Sequence, residues 1–167
     1  VPCVQKDIIM SDENNINLTL MNGKKGVIMG VANDHSIAWG IAQSLSAAGA
    51  ELAFSYQSET LKKRVEPLAK GLGSGLIYPC DVESSEDIEN FFNSIRNKWE
   101  NIDFLVHAIA FSDKDQLKGE YYNTTKENFI KTMLISCFSF TEVVKEAQKI
   151  MTSGGSIITL TFDGANR

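Results

Sequence analysis

The sequence predicts an α/β fold, a doubly wound parallel sheet that is incomplete at its C-terminal side. Three observations carry this. Short, wholly apolar runs alternate with stretches of helical period from residue 25 onward, and strands apolar along their whole length belong to parallel sheets covered on both faces. Each strand is followed by a helix, so right-handed crossovers bring the first and fourth strands together at a switch point. No internal repeat or low-complexity segment interrupts the alternation.

The elements follow in order. Gly26–Val31 is the first strand, and Ile37, Ile41, Leu45 and Ala48 form one face of a helix that stops at Gly49. Glu51–Tyr56 is the second strand. Leu61, Val65, Leu68 and Leu72 then repeat at three to four residues, with a kink or break expected at Pro67. Gly75–Pro79 is the third strand. Ser84 or Ser85 caps the next helix, whose stripe is Ile88, Phe91, Phe92, Ile95 and Trp99. Ile102–Ala110 is the fourth strand, and the polar stretch Ser112–Thr125 is a loop. A long helix, Lys126–Met151, is expected to turn Phe129, Met133, Phe140, Val144 and Ala147 inward. Gly154–Gly155 ends it, and Ser156–Thr161 is the fifth strand.

With 167 residues, 43% hydrophobic and 22% charged, the chain fits one ordinary globular domain. Residues 1–20 have no periodic apolar face and lack the pattern of an export signal. They are expected to be a flexible leader or remnant, with Met21 resembling a natural start and 21–167 forming the domain. A net charge of −5 argues against a nucleic-acid partner, which needs a basic face. No apolar run approaches the ~18 residues of a membrane span. Cys3, Cys80 and Cys137 are widely spaced, which suggests free thiols in a reducing cytoplasm and no metal site.

In such a sheet, ligands sit outside the carboxyl ends of the strands. The loop Gly30–Ser36 lies there, ahead of a helix whose first N–H groups can meet an anion. Gly30 permits a positive φ or a close backbone approach. Ser36 can cap the helix or donate its hydroxyl to a phosphate, and the small Ala38 and Gly40 let helix and ligand approach. Gln57 follows strand two, where an adenosine ribose would lie. Asp81 and Val82 follow strand three, placing an acceptor and an apolar side chain for an adenine. Asp81 can equally cap the helix that follows. Ala108, Ile109 and Ala110 end strand four with small or flat side chains that suit a ribose, or simply the strand core.

GVANDHSIAWGIA, ELAFSYQ, CDV, HAIAF and DQLKGEY, in that order, resemble the NADH-dependent enoyl-acyl-carrier-protein reductases of bacterial fatty-acid synthesis. These are a divergent branch of the short-chain dehydrogenases with a Rossmann-type fold. Their hallmark is G-x-x-x-x-x-S-x-A in place of a glycine-rich loop, matched by Gly30, Ser36 and Ala38. The resemblance runs from about Met21 to Arg167. It implies a pyrophosphate against Gly30, Ser36 and Ile37, with Gln57, Asp81, Val82 and Ile109 on the adenosine and ribose side. NADH is the implied cofactor, with NADPH left open. Acyl carrier protein is the implied partner, and a cytoplasmic homotetramer built partly on Lys126–Met151 the implied assembly.

The implied reaction delivers hydride to the β-carbon of a trans-2-enoyl thioester. Charge then develops on the thioester oxygen, where a tyrosine hydroxyl would stabilise it. The family's Tyr-x6-Lys is absent from this chain, and the resemblance places it beyond Arg167. Tyr121 and Tyr122 do not replace it, because no lysine follows at that interval. Ser112 and Phe162 fall on the implied substrate side. Phe162 stands where the family usually has a second tyrosine, so it offers acyl packing and no hydroxyl. The apolar SIITLT at a sheet edge predicts that the natural protein continues through at least two more strands.

Other readings make different demands. A ketoacyl reductase calls for a glycine-rich loop and a strand-four Asn-Ala-Gly, where this chain has HAIA. A non-catalytic NAD(P)-binding module would account for the missing Tyr-x6-Lys. A flavodoxin-like receiver needs an acidic cluster after strand one. His35 is expected to shape its turn and His107 to be a satisfied core histidine. Lys62–Lys63–Arg64 is expected to be a solvated helix face in preference to a 2′-phosphate site.

Overall fold

A computed structural model describes residues 20–161. Five parallel strands are arranged in the order β3-β2-β1-β4-β5. They are β1 (Lys25–Met29), β2 (Glu51–Tyr56), β3 (Leu76–Pro79), β4 (Phe104–His107) and β5 (Ser156–Thr159). β1 pairs with β2 on one side and β4 on the other, so the chain reverses its winding between β1 and β4. The helices are α1 (Ile37–Ala47), α2 (Glu59–Gly71), α3 (Ser85–Arg96), α4 (Lys126–Met133) and α5 (Ser139–Ala147). The doubly wound reading of the sequence holds.

Both faces of the sheet are covered over β1, β2 and β4, which is why these strands carry no regular polar alternation. Val27, Met29, Ala53 and Leu105 point to one side and pack with Ile88, Phe91, Phe92, Ile95, Val143 and Ala147 of α3 and α5. Ile28, Leu52, Phe54 and Val106 point to the other and meet Ala38, Ala42, Val65 and Ala69 of α1 and α2. Burying each large side chain of the α3 stripe stabilises the fold by about 1.5–3 kcal/mol. The Asp103 carboxylate joins the starts of β1 and β4, accepting from Lys24 Nζ and from the Lys25 N–H at 2.9 Å each. These bonds hold its carboxyl below the usual carboxylate range.

Several local expectations need correction. Strand four is shorter than its apolar run, and Ile109 and Ala110 fall in the segment after it. The helix α2 continues through Pro67 without a break. Pro67 is exposed while Val65 and Ala69 face the core, so the hydrogen bond that proline omits lies on the solvent side. The cap of α3 is Ser84, whose Oγ accepts from the Asp87 N–H at 3.1 Å. Asp81 instead closes a local turn, its Oδ1 accepting from the Glu83 N–H at 3.0 Å.

The largest departure is in the long helix. A π-helical segment, Leu134–Phe138, separates α4 from α5. Asn128, Ile135, Ser139, Val143, Ala147 and Ile150 face inward, whereas Phe129 and Met133 are 47% and 44% exposed. A π turn takes up one more residue than an α turn and rotates everything beyond it. An apolar stripe extrapolated at the α period therefore misses the inner face of α4. Phe140 and Val144 are half-buried, with Phe140 edge-on to the His107 ring. At the outer edge, Ile158 and Leu160 remain 49% and 42% exposed. Residues 1–19 and Phe162 lie outside the described residues.

Candidate functional site

The carboxyl ends of β1 to β4 converge on a cleft of about 190 Å³. Seven of the residues singled out in the sequence line it: Gly30, Gln57, Asp81, Val82, Ala108, Ile109 and Ala110. Gly30 has φ +101°, and a Cβ there would sit 2.1 Å from the Ala108 carbonyl oxygen. Only glycine lets β1 leave the sheet so close to β4, where the Ala108 N–H donates to the Met29 carbonyl at 3.0 Å.

Beyond Gly30 the loop is shaped by Ser36. Its Oγ accepts from the N–H groups of Ala32 and Asn33 at 3.0 and 3.1 Å. Asn33 Oδ1 in turn accepts from the His35 N–H at 2.9 Å. Ser36 is thus the N-cap of α1 by position, but its hydroxyl reaches back into the loop and makes no cap bond. Of the two roles the sequence left open to this hydroxyl, a side-chain cap is not made. The Trp39 and Gly40 N–H groups bond to the Ser36 carbonyl. Those of Ile37 and Ala38 have no acceptor among the described residues. Two donors therefore stand free at the positive end of a helix, the arrangement that receives anions. The Ile37 side chain is exposed, so only its backbone can serve there. Neither Ser36 nor Ile37 is part of the cleft wall itself.

At the opposite rim, Gln57 Nε2 donates to Asp81 Oδ2 at 3.2 Å, linking the ends of β2 and β3. Lys62 lies over the Tyr56 ring, 5.6 Å from its centroid, and 3.6 Å from the Glu59 carboxylate. Its charge is thus engaged on the flank of α2. His35 is exposed, with Nε2 3.8 Å from the Asp34 carboxylate. His107 is buried. The Ser139 hydroxyl donates to the Ile135 carbonyl at 2.6 Å, so its oxygen accepts from His107 Nε2–H at 2.9 Å. Thr159 Oγ1 donates to His107 Nδ1 at 3.4 Å. Desolvation holds the imidazole below its usual pKa, in keeping with a neutral core histidine.

Ser112 lies just outside the cleft, hydrogen-bonded to Asn128. Ser55, Tyr56, Leu61, Cys80, Phe111 and Ile135 also line the cleft and were given no ligand role from the sequence. Cys80 and Phe111 adjoin recognised positions within CDV and HAIAF, and that adjacency was their only signal. Ile135 had none, because the π segment turns it inward. Burial, with the Asp87 and Asp81 carboxylates adding, pushes the Cys80 thiol up to about 12. It is therefore a neutral wall group.

The family model described as enoyl-(acyl carrier protein) reductase matches residues 30–167. The chain is 57% identical over 148 residues to enoyl-[acyl-carrier-protein] reductase [NADH] 2 of Rhizobium meliloti, covering 89% of this chain and 55% of that protein. It is 49% identical to the FabI enoyl-[acyl-carrier-protein] reductase [NADH] of Rickettsia typhi, with 89% and 57% covered. Among solved structures, FabI from Candidatus Liberibacter asiaticus superposes with TM-score 0.88 at 55% identity, covering 90% of this chain and 58% of that one. The Anaplasma phagocytophilum enoyl-(acyl-carrier-protein) reductase in complex with NAD gives TM-score 0.86 at 54% identity, with 89% and 57% covered. The chain thus spans little more than half the length of the relatives it matches.

Proposed function

The chain belongs to the enoyl-(acyl carrier protein) reductase family, and we propose that its cleft holds NADH for reduction of trans-2-enoyl thioesters carried on acyl carrier protein in fatty-acid synthesis. The observation that carries this is the pair of unpartnered N–H groups on Ile37 and Ala38, set beside a glycine that no side chain can replace. That mouth fits a pyrophosphate without a row of glycines, because one serine supplies the loop's internal hydrogen bonds.

Each residue then has a defined task. Gly30 keeps the approach open, and Ser36 fixes the loop so that the Ile37 amide points outward. Gln57 and Asp81 offer hydrogen-bonding groups to the adenosine, and Val82 gives its ring an apolar floor. Ile109 packs beside the ribose at the exit of β4. Ser112 and Phe162 belong to the acyl thioester side, with Phe162 contributing packing alone. Bound NADH supplies the hydride for the thioester's β-carbon. The hydroxyl that steadies the enolate oxygen is assigned to the family's Tyr-x6-Lys pair, which these 167 residues do not contain.

NADH is the preferred cofactor, because Gln57 carries no positive charge to pair with a 2′-phosphate and Lys62 is occupied by Glu59 and Tyr56. NADPH is a poorer fit to the same groups. The whole protein is read as a cytoplasmic homotetramer. Phe129, Ile130, Met133 and Phe138 form an exposed apolar patch on the long helix that supports this assembly. No described helix is long and apolar enough to cross a membrane.

The test is a fluorescence titration of the whole protein with NADH and NADPH, followed by a reduction assay with a trans-2-enoyl thioester of acyl carrier protein. Saturable NADH binding with turnover is expected. NADH binding without reduction would favour a non-catalytic module, and absence of binding would refute the reading.

A further inference from the structure

Asn128 is a polar side chain in an inward-facing position of α4, only 5% exposed. A carboxamide buried there is costly unless its donors and acceptor are matched. They are. Its Oδ1 accepts from the Asp113 N–H at 2.9 Å. Its Nδ2 donates to Ser112 Oγ at 3.2 Å and to Thr124 Oγ1 at 3.1 Å. One side chain therefore grips both the start and the end of the 112–125 loop. Its own backbone is fixed as well, the Asn128 N–H donating to the N-cap Thr125 Oγ1 at 3.2 Å.

The segment held this way leads straight out of the cleft wall. Phe111 lines the cleft, and its N–H donates to Ser136 Oγ at 3.0 Å, from the π segment of the same helix. Ser112 follows at once. Asn128 does not line the cleft, so any effect it has on a ligand passes through these two residues. We propose that Asn128 is a positioning residue that sets the Phe111–Asp113 backbone against the acyl thioester. This assignment rests on the cleft being the NADH and enoyl-thioester site. Gly30, Gln57, Asp81 and Val82 lie on the β1, β2 and β3 side and make no hydrogen bond to Asn128. Loss of its carboxamide is therefore felt by the thioester and not by NADH.

The experiment compares the whole protein with Asn128→Leu, which keeps the shape and removes every side-chain hydrogen bond, and Asn128→Asp, which keeps the acceptor for the Asp113 N–H. N128L is expected to raise KM for the enoyl thioester about tenfold, the effect of one or two lost hydrogen bonds. The NADH Kd and kcat should stay within about twofold, since uniform thioester binding is what is lost. N128D should bring KM back to within about threefold of wild type, because the Ser112 and Thr124 hydroxyls can turn to donate. If N128L does not fold, Asn128→Ser, too short to reach Asp113, carries the same expectation. An unchanged KM, a parallel rise in KM and NADH Kd, or an N128D as impaired as N128L would each overturn the assignment. A wild-type protein that neither binds NADH nor reduces the thioester overturns the functional reading itself. An active wild type with an indifferent N128L overturns this assignment alone.

Discussion

Replacing glycine with alanine at two positions ten residues apart should move stability in opposite directions. At Gly30 the backbone has φ +101°, and the added methyl would lie 2.1 Å from the Ala108 carbonyl oxygen and 2.5 Å from its carbon. A left-handed φ costs an L-residue roughly 1–2 kcal/mol. The overlap is with backbone, so relief requires β1 and β4 to part at their exits, adding about 1–3 kcal/mol. Gly30→Ala should therefore destabilise the protein by about 2–5 kcal/mol, and NADH titration should show the mouth of the cleft displaced. Gly40 lies in α1, is exposed, and has open space where a Cβ would go. Gly40→Ala should stabilise by about 0.5–1 kcal/mol, through helix propensity alone. Paired urea denaturation curves measure both, with the slopes checked for constancy. A G30A midpoint equal to wild type, with NADH binding intact, would refute the close-approach reasoning. A destabilised G40A would show that something other than helix propensity governs the start of α1.

Three further outcomes are expected. Iodoacetamide at pH 8 should alkylate the exposed Cys137 and spare Cys80, whose buried thiol is raised to about 12; peptide mapping that finds Cys80 modified in folded protein would contradict this. His107 has a folded-state pKa below its unfolded value, so it binds more protons when unfolded. Its contribution is complete above about pH 6.5 and is lost as pH falls from there through the folded pKa. The urea midpoint should drop between pH 7 and pH 5 more steeply in wild type than in His107→Gln, and equal slopes would count against a buried neutral imidazole. Ser36→Ala leaves the Ala32 and Asn33 N–H groups without their acceptor. It should cost about 0.5–1.5 kcal/mol, read by the same denaturation assay, and should weaken NADH binding; a neutral S36A would mean the loop holds its shape without the hydroxyl.

Much of the architecture was legible because it rests on repetition. Strands such as β1 announce themselves by a short unbroken apolar run, Val27–Met29, and the α3 stripe Ile88, Phe91, Phe92, Ile95 by its period. Gly30, Gln57, Asp81, Val82 and Ile109 were found because strand ends in a doubly wound sheet have a fixed meaning. What stayed hidden depends on geometry that no period encodes. The π segment turns Ile135 toward the cleft and leaves Phe129 and Met133 outside. Asn128 carried no signal in the sequence, since its three side-chain partners are loop residues at varied separations. Ser36 was located correctly, yet its hydroxyl faces backward because Ala32 and Asn33 offer nearer donors than the helix does.

The bond between Gln57 and Asp81 makes that rim of the cleft a self-satisfied surface. An incoming hydroxyl or amino group gains there only the difference between a new partner and the old one, a fraction of a full hydrogen bond. Selectivity at the rim is then a matter of barter: molecules matching both groups at once can take the place of the internal pairing, and those matching one of them leave the other to water. Discrimination is sharpened while the strength of attachment is left to other parts of the cleft.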